Sequence, residues 1–246
     1  MNNPLVSVVM PVLNSGEYLS PAIESILNQS LNNIELLIFD GGSEDGSQKT
    51  ILEWAMRDNR VIPMDTPEDS INVADRTNIM MHDAQGKYIA MAHGDDISAP
   101  DRLSKQYFYM EEMKIDVCGT FLKLFQGLEG EWKYPQENSM IKTLLSQGQC
   151  PFGCPSMMLN KRLVDRGFIF NGSYRVALDL ELWLRLAIEK DVVMSNVPEC
   201  LVQYRYHPKQ SHRKEAHLYG SELPRLNPLL QKLQINIAEW RELGCF

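Results

Sequence analysis

A chain of 246 residues, 44% apolar and 23% charged, is long enough for one large α/β domain or a domain with a substantial appendage, and has the balance of a soluble globular protein. Its formal net charge of −8 argues against a nucleic-acid partner, because phosphate backbones select basic faces. Five cysteines (Cys118, Cys150, Cys154, Cys200 and Cys245) form no CxxC pair and leave one over, which suits a reducing cytoplasm better than a disulfide framework and offers no zinc-site spacing.

Val6–Val12 is a continuous apolar run of the kind that forms a buried parallel strand. From about Glu17 to Gln29, the residues Tyr18, Leu19, Ile23, Ile26 and Leu27 recur near helical spacing. Ile34–Asp40 reads as a second strand closed by Gly41, Gly42 and Ser43, and Gly46 to about Asp58 as a helix. Val61–Met64 is a short third strand, Asn72–His82 a helix, and Tyr88–Ala92 a fourth strand, with a further helix starting near Pro100. Repeated β-α-β units of this length predict an α/β fold whose central sheet is mostly parallel, with right-handed crossovers and flanking helices. After about Gln106 the rhythm changes. A strand at Val117–Phe125, a turn at Gly127–Gly130 and a loop rich in Gly, Cys and Pro from Gln147 to Pro155 are followed by a helix at Asp179–Glu189. Leu201–His207 alternates like a half-exposed strand. Towards the C-terminus Leu223, Leu226, Leu229, Leu230, Leu233, Ile237 and Trp240 fall at helical spacings interrupted by Pro224 and Pro228. Such a tail is expected to pack on the domain or on a second copy in a homodimer, since its few mixed charges lack the basic face that anionic lipid selects.

No signal-peptide leader precedes Val6, and no apolar segment approaches the roughly 18–20 residues needed to span a bilayer. The expectation is a cytoplasmic protein, at most peripheral to the inner face of a membrane.

Acidic residues stand where the carboxyl edge of such a sheet would gather them. The run Lys87–Asp96 ends an apolar strand in Gly94 and two adjacent carboxylates, Asp95 and Asp96. Adjacent acids repel unless a cation lies near them, and a divalent metal carrying a substrate diphosphate is one such cation. The alternative is that one of them caps the helix starting near Pro100. Asp40 ends the second strand, either to accept hydrogen bonds from a base or ribose or to close an Asx-turn into the Gly41–Gly42 loop. That loop lacks the glycine spacing of a dinucleotide site and fits a backbone turning tightly beside a ligand. Asp179 opens Asp179–Arg185 either as a general base or as a helix cap, with Glu181 paired to Arg185 four residues on.

Taken together, these residues resemble family 2 glycosyltransferases of the GT-A fold. The resemblance is carried by Ser7–Asn14, the Ile38–Ser47 turn, the Gly94–Asp96 strand end, Ala99–Leu103 with Gln106, Pro155–Met157, Asp179–Arg185 and Tyr204–His207. It runs from about Pro4 to Ser211. It implies that the end of the first strand (Pro11, Val12, Asn14), together with Asp40 and Gly41, holds the nucleotide base, with Glu17 near the ribose. It further implies that Asp75, Arg76 and Asn78 contact the nucleotide sugar, that Gly94, Asp95 and Asp96 lie at the diphosphate, and that Arg205 and His207 close over the phosphates. Asp179 aligns with the catalytic base of an inverting transfer.

The resemblance divides the chain into a domain over 1–215, with a nucleotide-sugar half (about 1–105) and an acceptor half (about 106–215), and a helical tail over 216–246. It implies a nucleotide-sugar donor, with UDP favoured, a saccharide or lipid-linked acceptor in cell-surface polysaccharide synthesis, and a divalent metal, Mn2+ or Mg2+.

Two positions depart from the family pattern. The Asp-x-Asp metal triplet falls on His93-Gly94-Asp95, so histidine replaces the first acid, and Asp95 would need His93 or His207 as partners. An imidazole ligand suits manganese better than magnesium. The glutamate that usually precedes the base is Leu178 here, which removes a like charge from beside Asp179. Two other functions compete with transfer: a non-catalytic nucleotide-sugar binder, and a sugar nucleotidyltransferase. The second would want a basic glycine-rich loop after the first strand, and Leu13–Gly16 carries no Lys or Arg.

Overall fold

The computed structural model describes residues 3–64, 72–207, 210 and 215–242. Its centre is a single sheet. Strand β1 (Val6–Val12) lies between β2 (Ile34–Asp40) and β4 (Tyr88–Met91), and β3 (Val61–Met64) flanks β2, all parallel. The helices are α1 (Leu19–Leu27), α2 (Ser47–Arg57), α3 (Val73–Asp83), α4 (Arg102–Met113), α5 (Asn138–Ser146), α6 (Lys161–Asp165), α7 (Leu178–Ile188) and a C-terminal helix, Asn227–Glu242.

β1 is apolar except at Ser7, whose hydroxyl bonds to Glu35, because both of its faces are covered. Val6, Val8, Met10 and Val12 share one core with Leu19 and Ile23 of α1, Ile51 of α2 and Leu103 and Met110 of α4. Val9 belongs to the opposite core, with Met80 and Met81 of α3, Ile141 of α5 and Leu182 of α7. The period-two alternation of a strand therefore serves two layers of helices.

Beyond β4 the sheet continues through β8 (Met158–Asn160), β6 (Val117–Phe125) and β9 (Met194–Arg205) to β5 (Ile97–Ser98), and β7 (Gly130–Trp132) pairs with β6. β8 is antiparallel to both neighbours, β5 is antiparallel to β9, and β6 and β9 are parallel. The sheet is thus parallel in its first half, as the repeated β-α-β pattern predicts, and mixed in its second. Strands β5, β7 and β8 have only two or three residues, too few to show an alternation in sequence. β9 begins at Met194, ahead of the predicted Leu201, because exposed Pro198 and Glu199 break its pattern where the register with β6 shifts. Between the turn at Gly127–Gly130 and the loop from Gln147, where the sequence assigns no element, lies α5, which places Ile141 and Leu145 in the core.

The strand order β3-β2-β1-β4 creates a switch point, because the connections on the two sides of β1 lead to opposite sides of the sheet. Ligands of open α/β sheets bind in the crevice that this leaves at the carboxyl ends of the strands. The turn after β4 closes on the turn after β1 there: a Cβ on Gly94 would stand 2.6 Å from Ser15 Oγ and 3.2 Å from Leu19 Cδ1. Only glycine permits that approach.

The C-terminal helix is part of the domain. Leu226, Leu233, Ile237 and Trp240 are buried in the same core as α5 and α7. Pro224 and Pro228 fall at the beginnings of helical turns, where a missing N–H costs nothing. No helix among the described residues is long and apolar enough to cross a membrane.

Lys142 of α5 links the helical layer. It is 1% exposed, donates from Nζ to the Glu189 carbonyl at 2.8 Å and lies 4.7 Å from the centre of the Trp240 ring. Burial pulls its amine down to about 8, although Asp191 and Glu189 oppose the shift. The unfolded chain therefore holds a proton that the folded chain has released between about pH 8 and the ordinary lysine range. Stability rises with pH across that window and is lost as pH falls through the folded value. We expect the urea stability of the parent to rise relative to Lys142→Met by on the order of 1–2 kcal/mol between pH 8 and pH 10. A difference that does not change with pH would contradict this.

Candidate active site

On the β1–β2 side of the crevice, Asp40 pairs in register with Val12. Its carboxylate accepts the Ser43 N–H at 3.2 and 3.3 Å and the Ser43 hydroxyl at 2.5 Å, so it closes the turn after β2. Asn14, in the left-handed region at φ 53°, ties the neighbouring loop to this turn. Its N–H donates to Ser43 Oγ at 2.8 Å, and its Oδ1 accepts the Glu44 N–H at 2.9 Å. Glu17 is exposed in the turn leading into α1, while Pro11 is half-buried and Val12 buried at the end of β1.

Arg76 of α3 lies directly over Gly41, where a Cβ would come within 1.6 Å of its Nη1. Burial pulls the Arg76 guanidinium down, and the charges of Asp40 and Asp75 oppose that pull. Asp75 faces the loop that precedes α7: a Cβ on Gly172 would stand 3.0 Å from both Asp75 Oδ1 and Asn72 Nδ2. Asn78 is committed elsewhere. Its amide donates to the Phe170 carbonyl and accepts the Phe170 N–H, both at 2.9 Å, so it pins that loop instead of facing the crevice.

Across the switch point, the turn after β4 gathers His93, Asp95 and Asp96, whose ligand atoms all lie within 4.8 Å of one another. Helix α4 begins at Arg102 with Asp101 before it, so neither Asp95 nor Asp96 is a helix cap. The side chain of Asp96 is 4% exposed. Its Oδ1 accepts the Arg205 N–H at 2.8 Å, while Oδ2 is buried without a hydrogen-bond partner, 3.6 Å from His93 Nδ1. Burial, with Asp95 alongside, drives the Asp96 carboxyl well above the usual range. Asp95 is more open, and its Oδ2 is 3.0 Å from His207 Nε2. The cluster thus comprises His93, Asp95 and Asp96, with Asp96 taking the place that the sequence assigns to His207. His207 instead bonds to Asp95.

Arg205 holds this turn in place. Its Nε donates to the Asp95 carbonyl at 2.7 Å and its Nη1 to Gln126, and its guanidinium lies 4.3 Å from the Tyr18 ring centre and 4.5 Å from that of Phe125. Beneath the cluster lies Arg102, 1% exposed. It donates to Met91 O at 2.7 Å, Ser98 Oγ at 3.0 Å and Gln106 Oε1 at 3.0 Å. Burial pulls its guanidinium down to about 10, against the opposing charge of Asp96. Gln106 in turn donates to the carbonyls of Cys118 and Ser156, both at 2.9 Å. These two residues belong to the Ala99–Gln106 motif, to which the sequence attaches no role. Their signal was an i, i+4 polar pair on the face of α4 that also carries Leu103 and Met110.

Asp179 lies in the first turn of α7, half-buried, and accepts the Leu180 N–H at 2.8 Å. Burial raises its carboxyl, and among the described residues no ion pair is made to it. Leu178 packs against the core, so no second acid adjoins it there. Glu181 and Arg185 form the predicted i, i+4 pair, with both contacts at 2.9 Å. Around Asp179 stand Cys150, Cys154, Tyr134 and Tyr219. Burial pushes all four up, and the Asp179 charge adds to each shift. Cys154 also feels Asp96, and Pro155 beside it lines a small cavity with His93 and Asp96. Electrostatic reach therefore connects the α7 carboxylate to the acid pair after β4.

Comparisons with known proteins agree with this architecture. Residues 7–168 match Glycosyl transferase family 2. The chain is 30% identical over 237 residues to the O-antigen biosynthesis glycosyltransferase WbnJ of Escherichia coli, covering 94% of this chain and 91% of that one. It is 28% identical over 207 residues to the Escherichia coli UDP-Glc:alpha-D-GlcNAc-diphosphoundecaprenol beta-1,3-glucosyltransferase WfgD, covering 83% of this chain and 78% of that one. Among solved structures, S. aureus TarS 1-349 in complex with UDP-GlcNAc superposes with a TM-score of 0.70 at 16% identity, over 84% of this chain and 60% of that one. The mannosyltransferase PcManGT from Pyrobaculum calidifontis, in complex with GDP-Man and Mn2+, superposes with a TM-score of 0.66 at 15% identity, over 97% and 74%. At such identities these two likenesses concern the fold alone. On the family match and the WbnJ relationship, the chain belongs to glycosyl transferase family 2 and is a glycosyltransferase.

Proposed function

We propose that the chain transfers a sugar, with inversion, from a nucleoside-diphosphate donor to a hydroxyl of a saccharide or lipid-linked acceptor in cell-surface polysaccharide synthesis. The observation that carries this reading is the pairing of an acid cluster at the carboxyl end of β4, anchored on buried Asp96, with a separate raised carboxyl, Asp179, in electrostatic reach of the same thiol. The acceptor class is supported by the names of WbnJ and WfgD, and a UDP donor by the name of WfgD.

The residues after β4 fit a divalent cation: two carboxylates and an imidazole converge, and one carboxylate oxygen is buried with no partner. His93, Asp95 and Asp96 would hold it, and when bound it supplies positive charge against the diphosphate that leaves. The other steps belong to side chains. Asp40, Asn14 and Gly41 form the tied turns on which the base rests, while Arg76 and Asp75 stand over the sugar side. Asp179 accepts the proton of the acceptor hydroxyl as that oxygen attacks the anomeric carbon opposite the diphosphate. A carboxyl raised by burial is better matched to that proton than an exposed one. His207 orients Asp95, and Arg205 fixes the turn that carries both acids.

Release of UDP from UDP-glucose or UDP-N-acetylglucosamine, with a GlcNAc-diphospholipid acceptor and Mn2+, is the direct assay. Asp179→Asn is expected to lower transfer on the order of a thousandfold while leaving UDP affinity within a few-fold. A fully active variant would remove the base assignment.

Asp96→Asn separates the cation site from the fold. Because the Asp96 carboxyl is raised, the folded protein retains a proton that the unfolded chain has lost. Its ionisation therefore costs stability as pH rises through the raised value. Without metal, the variant should be at least as stable as the parent, by a margin that grows with pH, yet it should gain little in melting temperature from Mn2+. Equal Mn2+ stabilisation of the two proteins would remove Asp96 from the site.

A further inference from the structure

The segment Glu215–Leu226 lies against the loop 171–177 that leads into α7, and three side chains join them. Arg225 donates to Ser173 O at 3.0 Å and Ser173 Oγ at 2.9 Å, and its guanidinium lies 4.2 Å from the Tyr174 ring centre. Arg175 pairs with Glu215 at 2.6 Å. Glu222, 5% exposed, accepts backbone N–H groups from three consecutive residues: Arg175 at 2.8 Å, and Val176 and Ala177 at 3.0 Å each.

The position of these bonds matters. Ala177 is the residue before α7, and its methyl has no oxygen with which to cap a helix. Asp179, the next polar side chain, accepts the Leu180 N–H within the first turn. Glu222 supplies from a distant segment an anionic acceptor for the three N–H groups just ahead of α7, and a negative charge is favoured at a helix N-terminus. Both carboxylate oxygens are used, and the hydrogen bonds outweigh the cost of burial to hold Glu222 below the ordinary carboxylate range. Tyr219, one turn earlier on the same segment, is near enough to Asp179 to feel its charge.

We infer that Glu222 is a positioning residue of the transfer reaction: by gripping the backbone of 175–177 it sets where α7 begins and so where the Asp179 carboxylate points. The C-terminal segment then belongs to the catalytic apparatus. This rests on Asp179 acting as the base.

The test uses the full chain with Glu222→Gln and Glu222→Ala, each assayed for UDP release from UDP-glucose or UDP-N-acetylglucosamine with a GlcNAc-diphospholipid acceptor, and for UDP affinity in Mn2+. A displacement of about 1 Å at a reacting group can cost a hundredfold, so we expect kcat to fall about tenfold or more in the alanine variant and less in the glutamine variant. Donor KM and UDP affinity should stay within about twofold of the parent, as for a change felt only in the transition state. Should the alanine variant fail to fold, the glutamine variant decides alone: a lowered kcat with unchanged UDP affinity supports the inference, and a parental kcat overturns it. Glu222→Gln added to Asp179→Asn should cost little further, because the two act as a unit. A further loss by the same factor as in the parent background would mean that Glu222 acts independently, which also overturns the inference. Failure of the base assignment is seen separately, as full activity in Asp179→Asn alone.

Discussion

The structure turns on a carboxylate that should not be comfortable where it is. Asp96 is almost wholly buried and adjoins a second acid, and the effective cost of taking such a charge out of water is several kcal/mol unless it is met by partners. The partners come from separate parts of the chain. The Arg205 N–H arrives from the end of β9, the buried charge of Arg102 lies within electrostatic reach from α4, and His93 faces the remaining oxygen. Arg102 itself is held by Met91, Ser98 and Gln106, and Gln106 by β6 and the turn at Ser156. The mixed half of the sheet is thus fastened to the parallel half through the groups that neutralise one acid.

The same requirement explains why the crevice is at the switch point. Parallel strands deliver their carboxyl ends to one edge, and β1, β2 and β4 bring Asn14, Asp40 and Asp95 there. Of the strands that follow, β8 runs against β4, but β6 and β9 run with β4, and the carboxyl end of β9 brings Arg205 to the same edge. A further side is closed by α7, reached through the loop that touches Asp75 and Asn72 at Gly172. Backbone approaches permitted by Gly41, Gly94 and Gly172 let these three walls meet.

Much of this was legible in the sequence where one local signal decides the outcome. The apolar runs of β1, β2 and β4 and the acids at their ends could be read because burial on both faces leaves a continuous pattern and a strand end leaves an abrupt one. Asp40 shows the limit of such reading. The turn-closing alternative is realised in its bonds to Ser43, and that does not stop its charge from reaching Arg76. What could not be read depends on contacts between distant segments. Asn78 looks available until Phe170 takes both ends of its amide, and Glu222 looks like a surface acid until it meets residues 175–177. Strands of two or three residues leave no periodic trace, so β5, β7 and β8 could not be read, whereas β6 and the end of β9 could.

Replacing the first acid of the family triplet by His93 changes the electrostatics rather than merely weakening the cluster. Three carboxylates around one dication would leave a net negative group facing a diphosphate, whereas Asp95 and Asp96 with a neutral imidazole balance a divalent charge. The substitution therefore trades oxygen ligation for lower repulsion within the cluster. It also relieves Asp96, since an anion at position 93 would stand about where His93 Nδ1 now stands, 3.6 Å from the partnerless oxygen. A third acid there would drive the buried carboxyl further towards neutrality and leave it a poorer ligand. A histidine at this position is consistent with keeping a fully buried acid as part of a cation site.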